Sequence, residues 1–457
     1  MKLWGGRFRE PLDPFIEHFT SALRFDKRLF SYDIQADIAH AKALALAGVI
    51  SEELANKIVK ALEEIKKEVE EGRRAIKGDE AEDIHTLVEN WLEEKIGDEA
   101  GFLRSYRSRN EQIACDLRLY LKEETGKIEN ALNSLQESLL SLAEKHKGWK
   151  LSGYTHLQHS QPVSLSHHLL AYFWMFQRDK ERFREGLKRI DISPEGAGAI
   201  AGVELDPELK ASLLGFSRSF ENSIDAVSDR DFLLEFLSHC AICSIHLSRL
   251  AEEIVLWATQ EFSFLTLSDA VCAGSSMMPH KKNPDPAELI RGKTGRIIGS
   301  LVSLFITLKA LPLSYNFDMQ ENQPALFDAI DNLKDCLIAM NKILQNLSFN
   351  REKMEGSIED YLLAVELADY LIQKGIPFRR AHRIVGELLL YAMEKGKKLK
   401  ELEIKEMREF SSAFDEDVYK YLSLSSFYER RNFRGGTGEK ALELQIKRAK
   451  EVLSPYG

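Results

Sequence analysis

The chain has 457 residues, of which 44% are hydrophobic and 29% are charged, and its formal net charge is −10. This acidic balance argues against a nucleic-acid-binding protein, and no uncharged run is long enough to span a bilayer. Five cysteines in a chain of this length do not suggest a disulfide framework, and the stretch from Met1 to Glu10 has no apolar signal region. We therefore expect a cytoplasmic protein with no nucleic-acid partner and no membrane segment.

Residues 1–107 mix short helical patterns with loops, including the charged segment EEGRRAIKGDEAEDIH. Four long helical patterns follow, from Ser108 to Trp149, Ser164 to Ile190, Asp229 to Glu261 and Pro286 to Leu311. In the first of them the apolar residues recur every three or four positions: Ile113, Leu117, Leu121, Ile128, Leu132, Leu135, Leu139 and Leu142. Helices this long bury an apolar stripe only against one another, so the patterns predict an all-α fold with an elongated central bundle.

The helical patterns shorten again after about residue 350, with breaks at 375–377 and 434–436. We therefore predict an N-terminal domain over residues 1–107, a central long-helix bundle over 108–355 and a C-terminal helical domain over 356–457. The two smaller domains are expected to be mainly helical.

One pattern of cysteines and histidines has the spacing H-C-x-x-C-x-x-H and suggests zinc: His239, Cys240, Cys243 and His246. These residues lie inside a helical run without Gly or Pro, and a single straight helix does not wrap four ligands tetrahedrally around one ion. We interpret them as buried helix residues and expect no metal.

Residues 274–285 read GSSMMPHKKNPD and join a flexible start to two lysines and the beginning of a helix. Asp285 can cap that helix, Pro286 suits its first turn, and Glu288 completes a capping box. The free N–H groups and the positive pole of such a helix end favour an anion. The stretch therefore suits binding a carboxylate while the hydroxyl of Ser275 approaches the neighbouring carbon.

The stretch GSSMMPHKKNPD resembles the signature of the fumarase and aspartase superfamily, whose members eliminate fumarate from a substituted succinate. Five other stretches are similar to those of argininosuccinate lyases: LWGGRF at 3–8, RSRNEQ at 107–112, GYTHLQHSQP at 153–162, DAVSDRDFLLEFL at 225–237 and LADYLIQKGIPFRRAHRIVG at 367–386. LWGGRF and the SRN motif favour this branch over fumarase and adenylosuccinate lyase. The resemblance runs over nearly the whole chain.

The resemblance implies a fumarase/aspartase-like fold and reversible cleavage of argininosuccinate to L-arginine and fumarate, with no metal and no organic cofactor. It also implies a homotetramer with active sites shared between subunits. Loss of a proton beside a carboxylate gives an aci-carboxylate, whose charge needs preorganised donors and cations. The implied catalytic residues are His156, Ser275, Lys281, Asn283 and Glu288. The implied substrate-binding residues are Ser108, Arg109, Asn110, Thr155, Tyr315 and Gln320.

The resemblance implies that Ser275 and His156 share the acid and base roles, and the residues leave open which of them is the acid and which is the base. An unperturbed serine is a poor base, so Ser275 serves only if Lys281 and backbone donors favour its alkoxide, whereas a neutral His156 is the conventional base. We favour Ser275 as the base and His156, oriented by Glu288, as the acid at the leaving nitrogen. Lys281 and Asn283 then stabilise the developing charge.

The chain departs from the family at several positions near Tyr315. Where the family reads YN(K/R)DMQEDK, this chain reads YNFDMQENQ, so Phe317, Asn322 and Gln323 replace two basic residues and an acid. The lysine that contacts a substrate carboxylate is thus missing at Gln323, and the position of a substrate-binding serine falls at Ala22. These changes concern the carboxylate contact and not the class of reaction.

Two alternatives stay open. Another fumarate-releasing lyase of the superfamily, such as an adenylosuccinate lyase, needs different residues at 108–110. A non-catalytic, crystallin-like relative has the same fold. Ser275, His156 and Lys281 argue against the second alternative, because a purely structural role needs none of them.

The predicted helix lengths also bear on the assembly. Roughly 37 residues lie between Asn110 and Lys147, so a helix rise of about 1.5 Å per residue places about 55 Å between the SRN motif and the turn at His156. By the same rise, the predicted helix from Pro286 to Leu311 places Ser275 and Tyr315 roughly 40 Å apart. One small substrate spans neither distance, so we expect neighbouring chains to supply the opposite ends of a site.

Overall fold

The structure is a computed structural model, and it describes residues 8–78 and 80–454. The α-helices, in chain order, are α1 (Pro14–Thr20), α2 (Leu23–Asp26), α3 (Phe30–Leu46), α4 (Glu52–Glu70), α5 (Ile84–Ile96), α6 (Arg109–Lys145), α7 (Leu165–Ile190), α8 (Pro207–Leu214), α9 (Ser223–Ser228), α10 (Asp231–Trp257), α11 (Asp285–Leu308), α12 (Asn322–Gln345), α13 (Arg351–Gly356), α14 (Ala364–Gln373), α15 (Phe378–Glu394), α16 (Ile404–Phe410), α17 (Leu424–Glu429) and α18 (Glu439–Leu453). Residues 3–7 of the LWGGRF motif lie outside the described residues.

Short strands pair two by two between the helices. They are β1 (Lys150–Thr155), β2 (Gln158–Ser164), β3 (Ile192–Ser193), β4 (Arg218–Ser219), β5 (Leu265–Leu267), β6 (Ala273–Gly274), β7 (Lys282–Asn283) and β8 (Leu347–Phe349). The pairs β1–β2, β5–β8 and β6–β7 are antiparallel, and β3–β4 is parallel. The prediction of a mainly helical fold is confirmed, and none of its described helices is both long and apolar enough to cross a membrane.

Five helices, α6, α7, α10, α11 and α12, are long, and the first four match the predicted patterns. The fifth was not predicted, although Leu326, Ile330, Leu333 and Leu337 recur at helical spacing and are fully buried. Its first turn contains Pro324, and a proline in a sequence usually indicates a loop or the end of a helix. A helix tolerates proline there because the first N–H groups have no intrahelical acceptor.

By its internal contacts the chain divides into two compact units. The first unit comprises Met1–Asn130, Lys180–Ser244 and Thr294–Lys334. The second comprises Ala131–Asp179, Ile245–Lys293 and Asp335–Gly457. Each boundary falls inside one of the long helices. The three-domain division in chain order stays a prediction.

In the first unit, helices α3, α6 and α8, with Phe216 just after the end of α8, contribute an apolar cluster of Ala36, Ala39, Cys115, Leu119, Ala211, Leu214 and Phe216. The same unit buries Arg107, which forms ion pairs with Asp37 and, at 3.2 Å, with Glu195. Buried charges persist only when they are paired in this way. Because Arg107 directly precedes the SRN motif, these ion pairs anchor the start of α6.

In the second unit, helices α14 to α17 share an apolar core that includes Tyr370, Leu388, Met407, Phe414 and Phe427. The β1–β2 hairpin and the β6–β7 hairpin belong to this unit as well. These two hairpins carry most of the predicted catalytic residues.

Helix α11 begins one residue earlier than predicted. The backbone N–H groups of Ala287 and Glu288 donate to the carbonyl of Pro284 at 2.9 Å and 3.1 Å. Pro284 therefore occupies the cap position, and the predicted capping box between Asp285 and Glu288 is wrong. Pro286 costs no hydrogen bond in the first turn, and the carboxylate of Asp285 still complements the positive pole of the helix.

Candidate active site

The first unit contains a cavity of about 450 Å³. Four of the predicted substrate-binding residues line it: Arg109, Asn110, Tyr315 and Gln320. The other lining residues are Leu12, Ile16, Thr20, Ala22, Asp26, Glu82, Asp83, Ile113, Phe317 and Gln323. Residues from four separate stretches of the sequence thus meet around one space.

Arg109, the first residue of α6, is already paired within the protein. Its Nε lies 3.2 Å from Asp83 Oδ2, its Nη1 lies 3.3 Å from Glu89 Oε1, and its Nη2 donates to Thr86 Oγ1 at 3.1 Å. Burial lowers the pKa of the guanidinium, but the charges of Asp83 and Glu89 outweigh burial and the pKa is raised. The positive charge of Arg109 is therefore balanced by the protein's own carboxylates.

The SRN motif opens α6 with a reciprocal cap. The Oγ of Ser108 accepts from the backbone N–H of Asn110 at 3.3 Å, and the backbone N–H of Ser108 donates to Glu111 Oε1 at 3.1 Å. Such a cap satisfies N–H groups that have no partner inside the helix. The hydroxyl of Ser108 is thus engaged in the cap, and its part in substrate binding stays a prediction.

Tyr315 and Gln320 follow the end of α11. Burial raises the pKa of the Tyr315 hydroxyl, and the positive charge of Arg230 acts against this shift. The Nε2 of Gln320 donates to the carbonyl of Thr20 at 3.1 Å. This contact joins the segment after α11 to the end of α1, so both segments form the cavity wall together.

The tip of the β1–β2 hairpin carries Thr155 and His156. Thr155 pairs with Gln158, so His156 and Leu157 form a two-residue turn. Both turn residues have positive φ, 56° and 55°, and such turns ordinarily use Asn and Gly. A residue with a Cβ in this conformation costs about 1 kcal/mol. The turn thus places an exposed histidine in a strained backbone conformation, and the catalytic role of His156 stays a prediction.

Ser275 begins the loop between β6 and β7. Its Oγ accepts from the backbone N–H groups of Met277 at 3.3 Å and Met278 at 3.0 Å. Donors to an oxygen favour its anionic form over its neutral form. The side chain is half-buried, whereas residues 276–282 are exposed. The loop therefore supplies two backbone donors to the Ser275 oxygen, and the role of Ser275 as a base stays a prediction.

The two lysines of this loop differ in their contacts. The Nζ of Lys282 lies 2.6 Å from Asp269 Oδ1. Lys281 is exposed and has no ion-pair partner within the part of the chain that the structure describes. Lys281 is thus the lysine whose charge is available to a ligand.

Asn283 lies on β7, and Glu288 lies exposed in the first turn of α11. The β6–β7 hairpin therefore brings Ser275, Lys281 and Asn283 onto one short stretch, with Glu288 just beyond it. The predicted residues form two sets: a cavity set in the first unit and a hairpin set in the second. The catalytic roles of the hairpin set stay predictions.

Three acidic residues of the cavity wall, Asp26, Glu82 and Asp83, were not predicted from the sequence. Burial raises the pKa of Asp26 to about 7, and the positive charge of His85 acts against that shift. The sequence stretches RFD and DEAEDIH contain these three acidic residues, so the sequence did show that carboxylates occur there. A sequence does not show which acids of such a charged run face a cavity, because this depends on how α2 and α5 pack.

The pattern that suggested zinc lies within the continuous helix α10. Cys240 and Cys243 are fully buried, and His246 Nδ1 lies 2.7 Å from Asp179 Oδ2. The interpretation of these residues as buried helix residues agrees with the two cysteines, whereas His239 and His246 are only partly buried.

Within the described residues, a different group of metal-ligand types comes together: Asp33, His85 and Asp116, whose ligand atoms lie within 4.8 Å of one another. The Nδ1 of His85 is 2.7 Å from Asp33 Oδ1. Burial lowers the pKa of His85, but the charge of Asp33 outweighs burial and raises the pKa to about 9. We therefore interpret the group as a buried ion pair.

This ion pair predicts a loss of stability at alkaline pH. The pKa of His85 is about 9 in the folded protein against 6.5 for an unperturbed histidine. Its stabilisation is complete below the lower value and is lost as the pH rises through the higher one. Between pH 7 and pH 10 we expect the free energy of unfolding to fall by about 2 kcal/mol more in the wild type than in His85→Asn. Urea denaturation across this range measures it, and equal pH dependence in both proteins would contradict it.

Solved structures with the same fold include lyases. A crystal structure of EDDS lyase in complex with formate has a TM-score of 0.84 at 28% identity, covering 94% of this chain and 87% of that chain. A class II fumarase from Schistosoma mansoni has a TM-score of 0.74 at 19% identity, covering 87% of this chain and 90% of that chain. The fold is therefore that of the fumarase-like lyases.

The family model described as Lyase matches residues 6–299, and the one described as Argininosuccinate lyase C-terminal matches residues 361–429. An argininosuccinate lyase of Symbiobacterium thermophilum is 48% identical, covering 99% of both chains. Another, of Pelotomaculum thermopropionicum, is 49% identical with the same coverage. The chain belongs to the argininosuccinate lyase family, and it is an enzyme.

Proposed function

We propose that this enzyme reversibly cleaves argininosuccinate into L-arginine and fumarate. In this β-elimination a carbon beside a carboxylate loses a proton, the carbon–nitrogen bond breaks, and the leaving guanidinium nitrogen gains a proton. Acid and base groups alone balance these changes. Membership of the family supports the proposal, and the observation that carries it is that Arg109, Asn110, Tyr315 and Gln320 line one and the same cavity.

We assign the chemical steps to the residues of the two hairpins. Ser275 removes the proton. The hydrogen bonds that its Oγ accepts from two backbone N–H groups support this assignment. Lys281 and Asn283 stabilise the aci-carboxylate, since a cation and an amide donor near developing charge lower its energy. His156, oriented by Glu288, protonates the leaving nitrogen.

The test of the reaction is direct. Purified enzyme is incubated with argininosuccinate while the ultraviolet absorbance of fumarate is followed, and adenylosuccinate is assayed in parallel. We expect fumarate from argininosuccinate and none from adenylosuccinate. Release from adenylosuccinate alone would assign the enzyme to the other branch, and release from neither would contradict the proposal.

We also propose a homotetramer with active sites shared between subunits. On α11, Ile298, Val302 and Phe305 follow one another at helical spacing and are 36%, 49% and 50% exposed. An exposed apolar stripe on a long helix is typical of an interaction surface. A second copy of this chain, with the same stripe, is the occupant that we propose.

The proposed compartment is the cytoplasm. The five cysteines of the chain are free thiols, and thiols persist in a reducing cytosol. Arginine biosynthesis, the role that the family name implies, is the pathway in which we place the enzyme.

Position 323 provides a test of carboxylate binding. Gln323 lines the cavity, is 3% exposed, and its Oε1 has no hydrogen-bond partner among the residues described. We expect Gln323→Lys to lower KM for argininosuccinate with little change in kcat, because an added cation stabilises the bound substrate and the transition state equally. Steady-state kinetics measure this, with Gln323→Met as a control of similar length and no charge. An unchanged or higher KM in Gln323→Lys would show that another group binds the carboxylate.

A further inference from the structure

Glu111 is a fully buried carboxylate in the first turn of α6, and both of its oxygens accept hydrogen bonds. Its Oε1 accepts from the backbone N–H of Ser108 at 3.1 Å. Its Oε2 accepts from the backbone N–H groups of Gly196 at 2.8 Å and Gly198 at 2.9 Å. Because a buried carboxylate requires donors in place of water, these contacts tie the start of α6 to a segment that is distant in sequence.

That distant segment is a loop at residues 196–202, which we call the glycine loop. Gly196 and Gly198 have positive φ values of 107° and 61°, which glycine adopts without strain. A Cβ at Gly198 would lie 2.9 Å from Val203 Cγ1, so a side chain does not fit there. Backbone N–H groups that converge in this way form a concave site for an anion. In the glycine loop the carboxylate of Glu111 occupies that site.

The charges near Glu111 act on its pKa in two directions. Burial and the negative charge of Glu195 raise the pKa of Glu111, whereas Lys210 and the N–H of Gly198 act against this shift. The Nζ of Lys210 lies 3.9 Å from Glu111 Oε1. The three N–H groups and the ammonium are all donors, which suits an ionised carboxylate, since both of its oxygens only accept. Charge-assisted hydrogen bonds of this kind are stronger than those between neutral groups.

The first turn of a helix has N–H groups without partners inside the helix, and helix ends open easily. Asn110, in this turn, lines the cavity, whereas Glu111 is not among the lining residues. We propose that Glu111 is a positioning residue, which holds the first turn of α6 against the glycine loop and thereby sets the position of Asn110 in the cavity wall. This inference rests on the proposed function and deepens it.

Glu111→Gln tests the assignment, because it keeps the size of the side chain and removes the charge. The amide has an oxygen on one side and an NH2 group on the other, so in either orientation at least one backbone N–H faces the NH2 group. We expect kcat/KM for argininosuccinate to fall at least about tenfold, since a small displacement of a binding group has an effect of this size. Steady-state assays of fumarate release measure it, and circular dichroism confirms that the variant is folded.

Glu124→Gln is the matched control on the same helix. Glu124 is 2% exposed, and its Oε2 lies 2.5 Å from the Nζ of Lys334. It lies about four turns after Asn110. Removing one partner of a buried ion pair lowers stability, but we expect kcat/KM to stay within about twofold of the wild type. Equal losses of kcat/KM in Glu111→Gln and Glu124→Gln would overturn the proposal, because a merely structural role does not distinguish the two positions.

A double-mutant cycle tests whether Glu111 acts through Asn110. Glu111→Gln is introduced into Asn110→Ala, whose residual kcat/KM is measured at high enzyme concentration. We expect Glu111→Gln to lower kcat/KM less than about twofold in this background, because the side chain that it positions is already absent. A loss as large as that in the wild-type background would overturn the proposal.

Gly198→Ala perturbs the same contact from the side of the glycine loop and serves as the test variant if Glu111→Gln does not fold. Its Cβ would meet Val203, and alanine is strained at a φ of 61°. We expect the same loss of kcat/KM and the same attenuation in Asn110→Ala, and wild-type kcat/KM in Gly198→Ala would contradict the proposal. Cleavage of argininosuccinate by the wild type and by Glu124→Gln tests the proposed function by itself. Its failure is therefore seen separately from failure of the Glu111 assignment.

Discussion

Subunits carrying Asn110→Leu and subunits carrying His156→Ala, each nearly inactive alone, should regain about a quarter of the wild-type activity when they are co-assembled. If each site takes Asn110 from one chain and His156 from another, each group is intact in half of the sites, and both are intact in about a quarter of them. The two variants are mixed in equal amounts, denatured, refolded together and assayed for fumarate release.

The length of α6 is the reason for this expectation. The helix has 37 residues, which at a rise of about 1.5 Å per residue is about 55 Å. Asn110 lies in its first turn, and His156 follows shortly after its end at Lys145. A substrate as small as argininosuccinate does not extend over such a length. Groups at opposite ends of α6 therefore act on one substrate molecule only when different chains supply them.

A pair of variants within one cavity is the matched control. Asn110 and Gln320 line the same cavity of one chain, so co-assembly of Asn110→Leu with Gln320→Leu leaves every site with one altered residue. We expect no recovery from this pair. Each variant refolded alone gives the baseline. Verified mixed oligomers of Asn110→Leu and His156→Ala that stay as inactive as their parents would exclude the shared site.

Ser275→Ala should lower kcat at least about a hundredfold, because the hydroxyl that we propose as the base is lost. The fold should remain, since the free energy of unfolding changes by only about 1 kcal/mol when the hydrogen bonds of one half-buried hydroxyl are lost. Steady-state assays of fumarate release and urea denaturation measure the two quantities.

Ser268→Ala controls for the loss of a serine hydroxyl in the same region. The Oγ of Ser268 is exposed and contacts Asn346 Oδ1 at 3.4 Å, a weak interaction outside both predicted sets. We expect this variant to keep wild-type kcat. A Ser275→Ala enzyme that retained more than about a tenth of the wild-type kcat would remove Ser275 from the role of base.

Most of the helical architecture could be predicted from local patterns. The apolar period of three and four residues that predicted α6 reappears as a stripe in which Leu121, Ile128 and Leu132 are fully buried. The helix α12 shows the same period but was missed, because its start at Asn322 contains residues that are common in loops. The cap of α11 was misplaced by one residue because Pro284 offers only a backbone carbonyl, which a side-chain capping rule does not consider.

The sequence indicated some residues of the candidate site and missed others. The sequence indicated the serine, lysine and asparagine of the β6–β7 hairpin, since all three lie within ten residues of one another along the chain. It did not indicate Asp26, whose position in the cavity wall depends on the packing of α2 beside α5. Nor did it show the strain at His156, because a positive φ in a non-glycine residue follows from the hairpin register and not from the residue type.

The order of amino acids alone was sufficient for the long helices and the family resemblance, because periodicity and short motifs act within one stretch of chain. The catalytic roles of Ser275 and Lys281, which rest on one such motif, stay predictions. Packing in three dimensions was needed to show that Arg109 is balanced by Asp83 and Glu89. It was also needed to show that one oxygen of Asp26, in the cavity wall, accepts no hydrogen bond from any described residue. These contacts join helices that are distant in sequence. The net charge around a bound ligand depends on which carboxylates form ion pairs with a cation, and those ion pairs exist only in the folded chain.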